Sequence, residues 1–400
     1  MPNTDIAIVS LYPPAGKRHA GLSGVASYTA NLAHALAGAG ANVDVVCAHE
    51  PDEPATSSDG SVTVRRCFRR GPTALIDAVA AARSTNAPVV HVQFELFLYG
   101  GALSLACLVP ALAALRRAGR RVVVTPHQVV DPGAVDRNFV RMHRVRSPSF
   151  LARTGIASVQ GAIRRFADAV VVHEASFTRN FPDAAVIPHG IELLERVNRS
   201  TVRSELGLGS IPTVLCFGFV APYKGLEAAL EASRRSGAFR LVVAGGEHPR
   251  LARRNPKRGY LAELISQFGD VARFTGYVSE RDVARWFSAA DIALFPYPDP
   301  FSSSGALALA LGFETPVVVS PAVGDCIEAP KDLRVPLDPD GLARALNDIL
   351  NDPVRLDAIR HSSETLRAGR TWAESARAHL DLYEEVLHAD SLARRRVRAA

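Results

Sequence analysis

Paired cysteines, long apolar runs and the glycine fingerprint of dinucleotide-binding enzymes are all missing from this 400-residue sequence, and each absence excludes a class of protein. The five cysteines (Cys47, Cys67, Cys107, Cys216 and Cys326) are scattered without C-x-x-C spacing. That pattern argues against a zinc ribbon or a redox motif and fits buried thiols in a reducing compartment. The most apolar helical stretch, Gly101 to Leu115, carries Pro110 and falls short of the roughly 20 residues that span a bilayer. The opening MPNTDIAIVS has no basic region followed by an apolar one, so no secretory signal is expected and the protein is read as cytoplasmic. No G-x-G-x-x-G follows a strand, which counts against an NAD-dependent dehydrogenase. Nothing repeats at a period of about 20 to 50 residues.

What remains is ordinary globular material, with 48% hydrophobic and 22% charged residues. The length predicts two cores rather than one. A net charge of +6 and a pI near 9.2 suit an anionic small-molecule partner and do not by themselves argue for nucleic acid.

The hydrophobic pattern alternates between strand and helix along the chain. Asp5 to Leu11, Val43 to Cys47, Val62 to Arg66, Val89 to Gln93, Arg121 to Thr125 and Ala169 to His173 read as buried strands. Helices are expected at Val25 to Gly38, Thr73 to Arg83, Ala102 to Ala118 and Leu151 to Phe166. A polar segment, Val197 to Gly209, reads as a connection into a second set of strands at Pro212 to Phe219, Arg240 to Gly245, Arg273 to Tyr277, Ile292 to Phe295 and Pro316 to Ser320. From Trp372 the chain predicts one long amphipathic helix with a basic tail.

Phe295 to Val319, FPYPDPFSSSGALALALGFETPVVV, concentrates the chemistry. A strand ends in a proline-rich bend, and Ser302, Ser303, Ser304 and Gly305 then open an apolar helix. A helix N-terminus at the carboxyl end of a parallel strand offers unpaired N–H groups to an anion. The plain alternative is a serine-capped structural helix. The glycine loop from Tyr12 to Gly24, AGGEHP after the strand ending at Gly245, and the histidines ending VVHVQFE and VVVTPHQ fall at equivalent strand ends. A lone histidine is more often a satisfied structural imidazole, which is the plainer reading of His91; His127, ending a central strand, is the better ligand candidate. The arginines of Asp131 to Ser149 (Arg137, Arg141, Arg144 and Arg146) read either as a solvated face or as a surface for phosphate or anionic lipid.

Taken in order, GLSGVASYTANLAHALAGAG, VVHVQFE, VVVTPHQ, FADAVVVHEASFT, VIPHGIE, FGFVAPYKGLEAALEA, LVVAGG, FTGYVSERDVARWFSAADIALFPY and ALGFETPVVVS resemble the GT-B fold glycosyltransferases, within them the retaining family 4. The resemblance covers nearly the whole chain. It implies an α/β protein of two Rossmann-like domains facing across a cleft. Residues 1–192 would form the acceptor domain, 193–370 the nucleotide-sugar donor domain, and a final helix within 371–400 would cross back to the first. The implied activity moves a hexose from a nucleotide-diphosphate sugar, of UDP or GDP type, to a hydroxyl of a glycan, lipid-linked or small-molecule acceptor. Configuration would be retained, with no metal and no other cofactor.

Carried over by motif, Gly24, Lys224, Ser303, Ser304 and Gly305 would hold the donor phosphates. His127, Lys224 and Asp299 would serve the reacting sugar and leaving group, and a lysine aimed at a departing diphosphate is what the developing charge requires. Phe219, Gly245, Gly246, Tyr277 and Leu309 would line the nucleotide site. His91, Glu95 and His173 would lie on the acceptor side, with His189 and Gly190 at the hinge. Three positions depart from the family: Phe219 stands in place of an arginine, and Phe301 and Leu309 in place of two glutamates. A charge-assisted hydrogen bond contributes about 1.5–3 kcal/mol, so their loss weakens donor binding unless Arg250, Arg253, Arg254, Lys257 and Arg258 compensate. The departures also motivate an alternative, a catalytically degenerate glycosyltransferase acting as a binding or regulatory protein. The basic stretches add peripheral contact with an anionic membrane as a separate expectation.

Overall fold

Strands rich in Val and Ile, apolar on both faces, need cover on both sides, and the chain supplies it with helices between successive strands. The computed structural model describes residues 5–17, 23–143, 145, 147–248 and 259–399, side chains beyond residue 389 excepted. The arginines at 144, 146, 250, 253, 254 and 258, Lys257 and the basic tail from 394 lie outside what is described.

The first sheet has eight strands: β1 (Asp5–Ser10), β2 (Asn42–Ala48), β3 (Thr56–Asp59), β4 (Val62–Phe68), β5 (Val89–Phe94), β6 (Arg121–Pro126), β7 (Ala169–Val172) and β8 (Ala185–Val186). Their spatial order is β3-β4-β2-β1-β5-β6-β7-β8, parallel throughout except for β3 against β4. The second sheet, β9 (Thr213–Phe217), β10 (Arg240–Ala244), β11 (Ala272–Gly276), β12 (Ile292–Phe295) and β13 (Val317–Val319), is ordered β11-β10-β9-β12-β13 and is wholly parallel. In both sheets the strand order reverses beside the first strand, at β1/β5 and at β9/β12. Those crevices are where open α/β sheets bind ligands.

Three local expectations change. The helix expected from Ala102 to Ala118 is two helices, Ala102–Ala106 and Leu108–Arg117. Pro110 has no N–H to reach back across the break at Cys107, so the helix restarts. The polar connection contains a helix, Arg199–Glu205, capped by Asn198, and its Arg199 and Arg203 reach Asp291 at 2.6 and 3.3 Å. The polar edge strand β3, TSSD, carries no apolar alternation and left no signal.

The last helix, Trp372–Ala399, does cross back. Its Ala376, Tyr383 and Val386 pack with Ile6, Ile8, Leu32 and Leu36 into one core on the first domain. At its entry, Ile191 N–H donates to Arg370 O at 2.6 Å. Trp372 lies so close to Gly190 that a Cβ there would sit 2.2 Å from the indole, so the hinge position accepts only glycine without repacking.

This core buries a continuous group of imidazoles. His127, His173 and His189 surround Tyr28 at ring distances of 4.7, 4.9 and 5.2 Å, and His91 lies 5.5 Å from His379. Burial is the first cause in lowering all five: His91 and His127 well below the usual 6.5, His173 to about 3, His189 and His379 to about 4. Imidazoles that stay neutral when folded contribute stability that is present above pH 6.5 and lost as pH falls towards those values. Burial pushes Glu174 the other way, up to about 7, so its smaller contribution is lost as pH rises. The imidazoles outnumber it. The melting temperature is therefore expected to fall steeply from pH 6.5 to 4, each proton taken up on unfolding being worth about 1.4 kcal/mol per pH unit. His379→Leu removes one such proton; melting curves over that range should show a shallower slope than the parent, and an equal slope would exclude the imidazoles as the cause.

Candidate active site

Parallel strands deliver every following loop to the same edge, and here the two edges share one cavity of about 300 Å³. That is within the size of small-molecule sites, roughly 300–1,000 Å³. Two helix N-termini face it. The helix Gly24–Gly38 follows β1, capped by Ser23, whose hydroxyl accepts from Val25 N–H at 3.2 Å. The helix Gly305–Gly312 follows β12, capped by Ser304, whose hydroxyl accepts from Leu307 N–H at 3.3 Å. The amides of Gly24, Gly305 and Ala306 keep no protein acceptor among the described residues. Unpaired N–H groups with the positive ends of two dipoles make this an anion site.

Lys224 completes it from the 3₁₀ turn Pro222–Lys224 after β9. Its ammonium sits 3.9 Å from the Tyr297 ring centre and 5.4 Å from that of Tyr223, and among the described residues no carboxylate pairs with it. Burial lowers its pKa from the ordinary lysine value. A half-buried cation held on aromatic faces, with no counter-charge among the described residues, gains from an anionic ligand.

Of the proposed nucleotide residues, Phe219, Gly245, Gly246, Tyr277 and Leu309 all line the cavity. Phe219 packs on His248 at 5.2 Å, and Tyr277 is 64% exposed, leaving its ring open to stacking. Gly245 has a structural reason as well: a Cβ there would lie 1.9 Å from Gly218 O, where the ends of β9 and β10 converge.

The sugar and acceptor residues fare differently. His127, half-buried, donates from Nε2 to Gln93 Oε1 at 2.7 Å and stands against Tyr28, which does line the cavity. His91 is corrected to a structural imidazole: it is fully buried, with Nδ1 on the Tyr383 hydroxyl and Nε2 on Thr125 Oγ1, both at 2.7 Å. His173 is also buried, its Nδ1 bonded to Ile187 O at 2.9 Å. Glu95 accepts from Gln128 Nε2 at 3.1 Å and does not line the cavity. Asp299 is corrected too. Flanked by Pro298 and Pro300, it sits exposed on the outside of the bend and is not part of the cavity wall, although partial desolvation raises its pKa.

Phe301 turns out to join the domains. Its carbonyl accepts from Val129 N–H at 2.7 Å, and its ring meets His143 at 4.9 Å and Tyr223 at 5.3 Å. Ser303 lines the cavity, but its hydroxyl donates to Glu174 of the first domain, whose carboxylate lies 3.6 Å from Arg370. Only the main chain of Ser303 is thus left for a ligand. Sequence reasoning missed Tyr28, Glu192, Glu280 and Trp372, which also line the cavity. Tyr28 had a signal, standing one helical turn after Gly24 and so on the same face. Among the described residues no three His, Cys, Asp or Glu side chains converge as metal ligands would.

Two doubly wound parallel domains facing across this cleft define a GT-B glycosyltransferase fold. The solved sucrose-phosphate synthase from Thermosynechococcus elongatus superposes with a TM-score of 0.76 at 23% identity, covering 97% of this chain and 100% of that one. HepE from Anabaena, solved with UDP and glucose, does so at 0.67 with 16% identity over 96% and 100%. Residues 22–193 match the family described as Glycosyltransferase Family 4, and residues 211–352 that described as Glycosyl transferases group 1. The chain belongs to this family. A D-inositol 3-phosphate glycosyltransferase from Nocardioides sp. is 32% identical over 229 residues, half of this chain and 47% of that one. A GDP-mannose:glycolipid 4-beta-D-mannosyltransferase from Xanthomonas campestris pv. campestris is 31% identical over 112 residues, 26% of this chain and 29% of that one. The chain thus spans about half the length, or less, of these curated relatives.

If Lys224 is held for a ligand at a cost to the fold, Lys224→Met should raise the melting temperature of the ligand-free protein. The same variant should lose most of any stabilisation by added nucleoside diphosphate. A lower ligand-free melting temperature, or an unchanged nucleotide response, would remove the assignment.

Proposed function

We propose that this protein transfers a hexose from a nucleotide-diphosphate sugar to an acceptor hydroxyl, with retention of configuration and without a metal ion. The observation that carries the proposal is the half-buried Lys224, lining the same cavity as the amides of Gly24, Gly305 and Ala306, none of them with a protein partner among the described residues. As the anomeric bond to the diphosphate breaks, charge builds on the leaving oxygen, and fixed donors there lower the barrier because they need no reorganisation. Fixed cation and amides supply what a metal would otherwise provide, and attack on the face the diphosphate leaves retains configuration. The nucleotide would lie on the wall formed by Phe219, Gly245, Gly246, Tyr277 and Leu309. Glu280 on that wall offers the ribose hydroxyls a carboxylate that Leu309 does not. His127 would meet the sugar from the opposite domain. Relatives named for UDP, GDP-mannose and inositol phosphate make UDP and GDP sugars the first donors to try, against polyol phosphate and glycolipid acceptors.

A second, independent reading concerns where the acceptor is met. Between Asp136 and Asp168 the sequence has seven arginines and no acidic residue. The helix Ser149–Phe166 presents Phe150 at 65% and Leu151 at 53% exposure at its start, near exposed Arg153, with exposed Arg164 and Arg165 in its last turn. Exposed apolar side chains on a helix whose charges are all cationic suit the surface of an anionic bilayer. Among the described residues no helix is long and apolar enough to cross one.

Thermal-shift titration with UDP and GDP should raise the melting temperature, by about 2.7 kcal/mol of stability at one hundred times Kd. Nucleotide release from a UDP- and GDP-sugar panel should fall by at least about tenfold in Lys224→Ala, one tenfold step being 1.4 kcal/mol of transition-state stabilisation. Binding without turnover for every donor and acceptor would favour the degenerate alternative. In flotation with phosphatidylglycerol vesicles, the protein should float at low salt and be released at high salt. Phe150→Ser with Leu151→Ser should weaken flotation, and equal recovery with phosphatidylcholine would overturn the membrane reading.

A further inference from the structure

A chain of buried side chains links the last helix to His127, which stands behind Tyr28 of the cavity wall. His127 Nε2 lies 2.7 Å from Gln93 Oε1, and Gln93 Nε2 lies 3.3 Å from His91 Nε2. The Thr125 hydroxyl reaches that same nitrogen at 2.7 Å, and His91 Nδ1 lies 2.7 Å from the Tyr383 hydroxyl. Gln93, His91, Thr125 and Tyr383 are fully buried, so no solvent exchange relaxes these directions.

With the Gln93 amide oxygen on His127 and its nitrogen on His91, the directions are set. An amide nitrogen only donates, so His91 Nε2 accepts, from both Gln93 and Thr125. The hydrogen of the neutral His91 is therefore on Nδ1 and is donated to Tyr383. The amide oxygen at the other end of Gln93 only accepts, so His127 must carry its hydrogen on Nε2. His127 Nδ1 is left with a lone pair; it has no protein partner among the described residues and is not one of the buried unpaired atoms. Were the amide reversed, His91 would have to donate from Nε2, and His127 would turn from acceptor into donor at its open edge.

We propose that Tyr383, His91 and Gln93 are positioning residues that lock His127 in the Nε2–H tautomer and present its Nδ1 as a hydrogen-bond acceptor to a hydroxyl of the sugar in the cleft. The tautomer rests on the orientation of the Gln93 amide; the sugar hydroxyl rests on the reading given under "Proposed function". The crossing helix in this way sets the polarity of a group at the carboxyl end of β6, on the face of the sheet that the helix covers. A second consequence follows for selectivity: an acceptor at this point favours a sugar with a hydroxyl there over an analogue whose substituent only accepts, such as fluorine, whereas a donor would still meet that substituent.

Long-range proton–nitrogen correlation spectra of the full chain labelled with nitrogen-15 histidine read the tautomer directly. Among the twelve histidines, His127 is assigned by its loss in His127→Gln. In the parent its Nε2 should be protonated and its Nδ1 bare. Tyr383→Phe removes the acceptor that holds the hydrogen on His91 Nδ1, so a fraction of His127 should appear as the Nδ1–H form. Gln93→Glu places a carboxylate on His127 Nε2–H, and the imidazole should begin to titrate at higher pH. In Tyr383→Phe kcat/KM for the donor sugar should fall in step with the Nδ1–H fraction, by up to about tenfold, roughly one neutral hydrogen bond; in Gln93→Glu it should fall only below the pH at which His127 takes up a second proton, and in both nucleoside diphosphate affinity should be unchanged. An Nδ1–H His127 in the parent overturns the proposal, as does a His127 signal indifferent to both substitutions. Spectra that change as expected with turnover that does not would keep the relay and exclude the sugar hydroxyl as its object.

Discussion

A parallel strand hands its chain to one edge of the sheet only, and everything else in this protein follows from facing two such edges towards each other. The loops after β1 and β9, and the turn after β12, have nowhere to go but the gap between the domains. The loop after β1 and the turn after β12 bring main-chain donors that have no protein acceptor among the described residues, and the loop after β9 brings Lys224. The cleft is positive at its centre because backbone geometry makes it so, before any side chain is considered. Lys224 adds a charge the fold does not neutralise, with aromatic rings in place of a carboxylate.

Much of this was legible in the residues. Parallel strands buried on both faces are near-continuous apolar runs, so β1, β5, β6, β9, β12 and β13 stood out, and the loops between them carried the glycines and serines now lining the cavity. Polar or broken elements were harder. The edge strand β3 has four polar residues and no period, and the helix interrupted at Cys107 needed Pro110 to be weighed as a restart. Candidate residues divided by a similar logic. Gly24, Lys224, Gly305, Gly245 and Leu309 are placed by main-chain position relative to a strand end, which the sequence reports well. His91 and His173 were assigned from residue type at a strand end, and Asp299 as a stand-in two residues before Phe301 for the glutamate missing there. Type does not reveal which way a ring turns or what covers it: the cover for His91 comes from Tyr383, 292 residues away.

The family departures also take on physical meaning. Phe301, where a glutamate would be expected, uses its carbonyl and its ring to hold one domain against the other, and Leu309 puts an apolar side chain on the cavity wall. The Ser303 hydroxyl is taken by Glu174 across the gap. Residues that would otherwise contact ligand thus fasten the two halves, while Glu280 keeps a carboxylate on the wall. The resulting cleft relies on main chain and one cation for the anion and on carbon for the rest.

The helix that returns from Trp372 has a bearing on the order in which the molecule can be completed. One face of the first sheet is sealed by Ala376, Tyr383 and Val386, side chains that a ribosome adds only near the end of the chain. Until then Ile6, Ile8 and their neighbours lack their outer layer, although every strand of that sheet has already been made. The second domain, whose strands all lie between residues 213 and 319, can close earlier. The half begun first is finished last, and its nascent form is the one with apolar surface to protect.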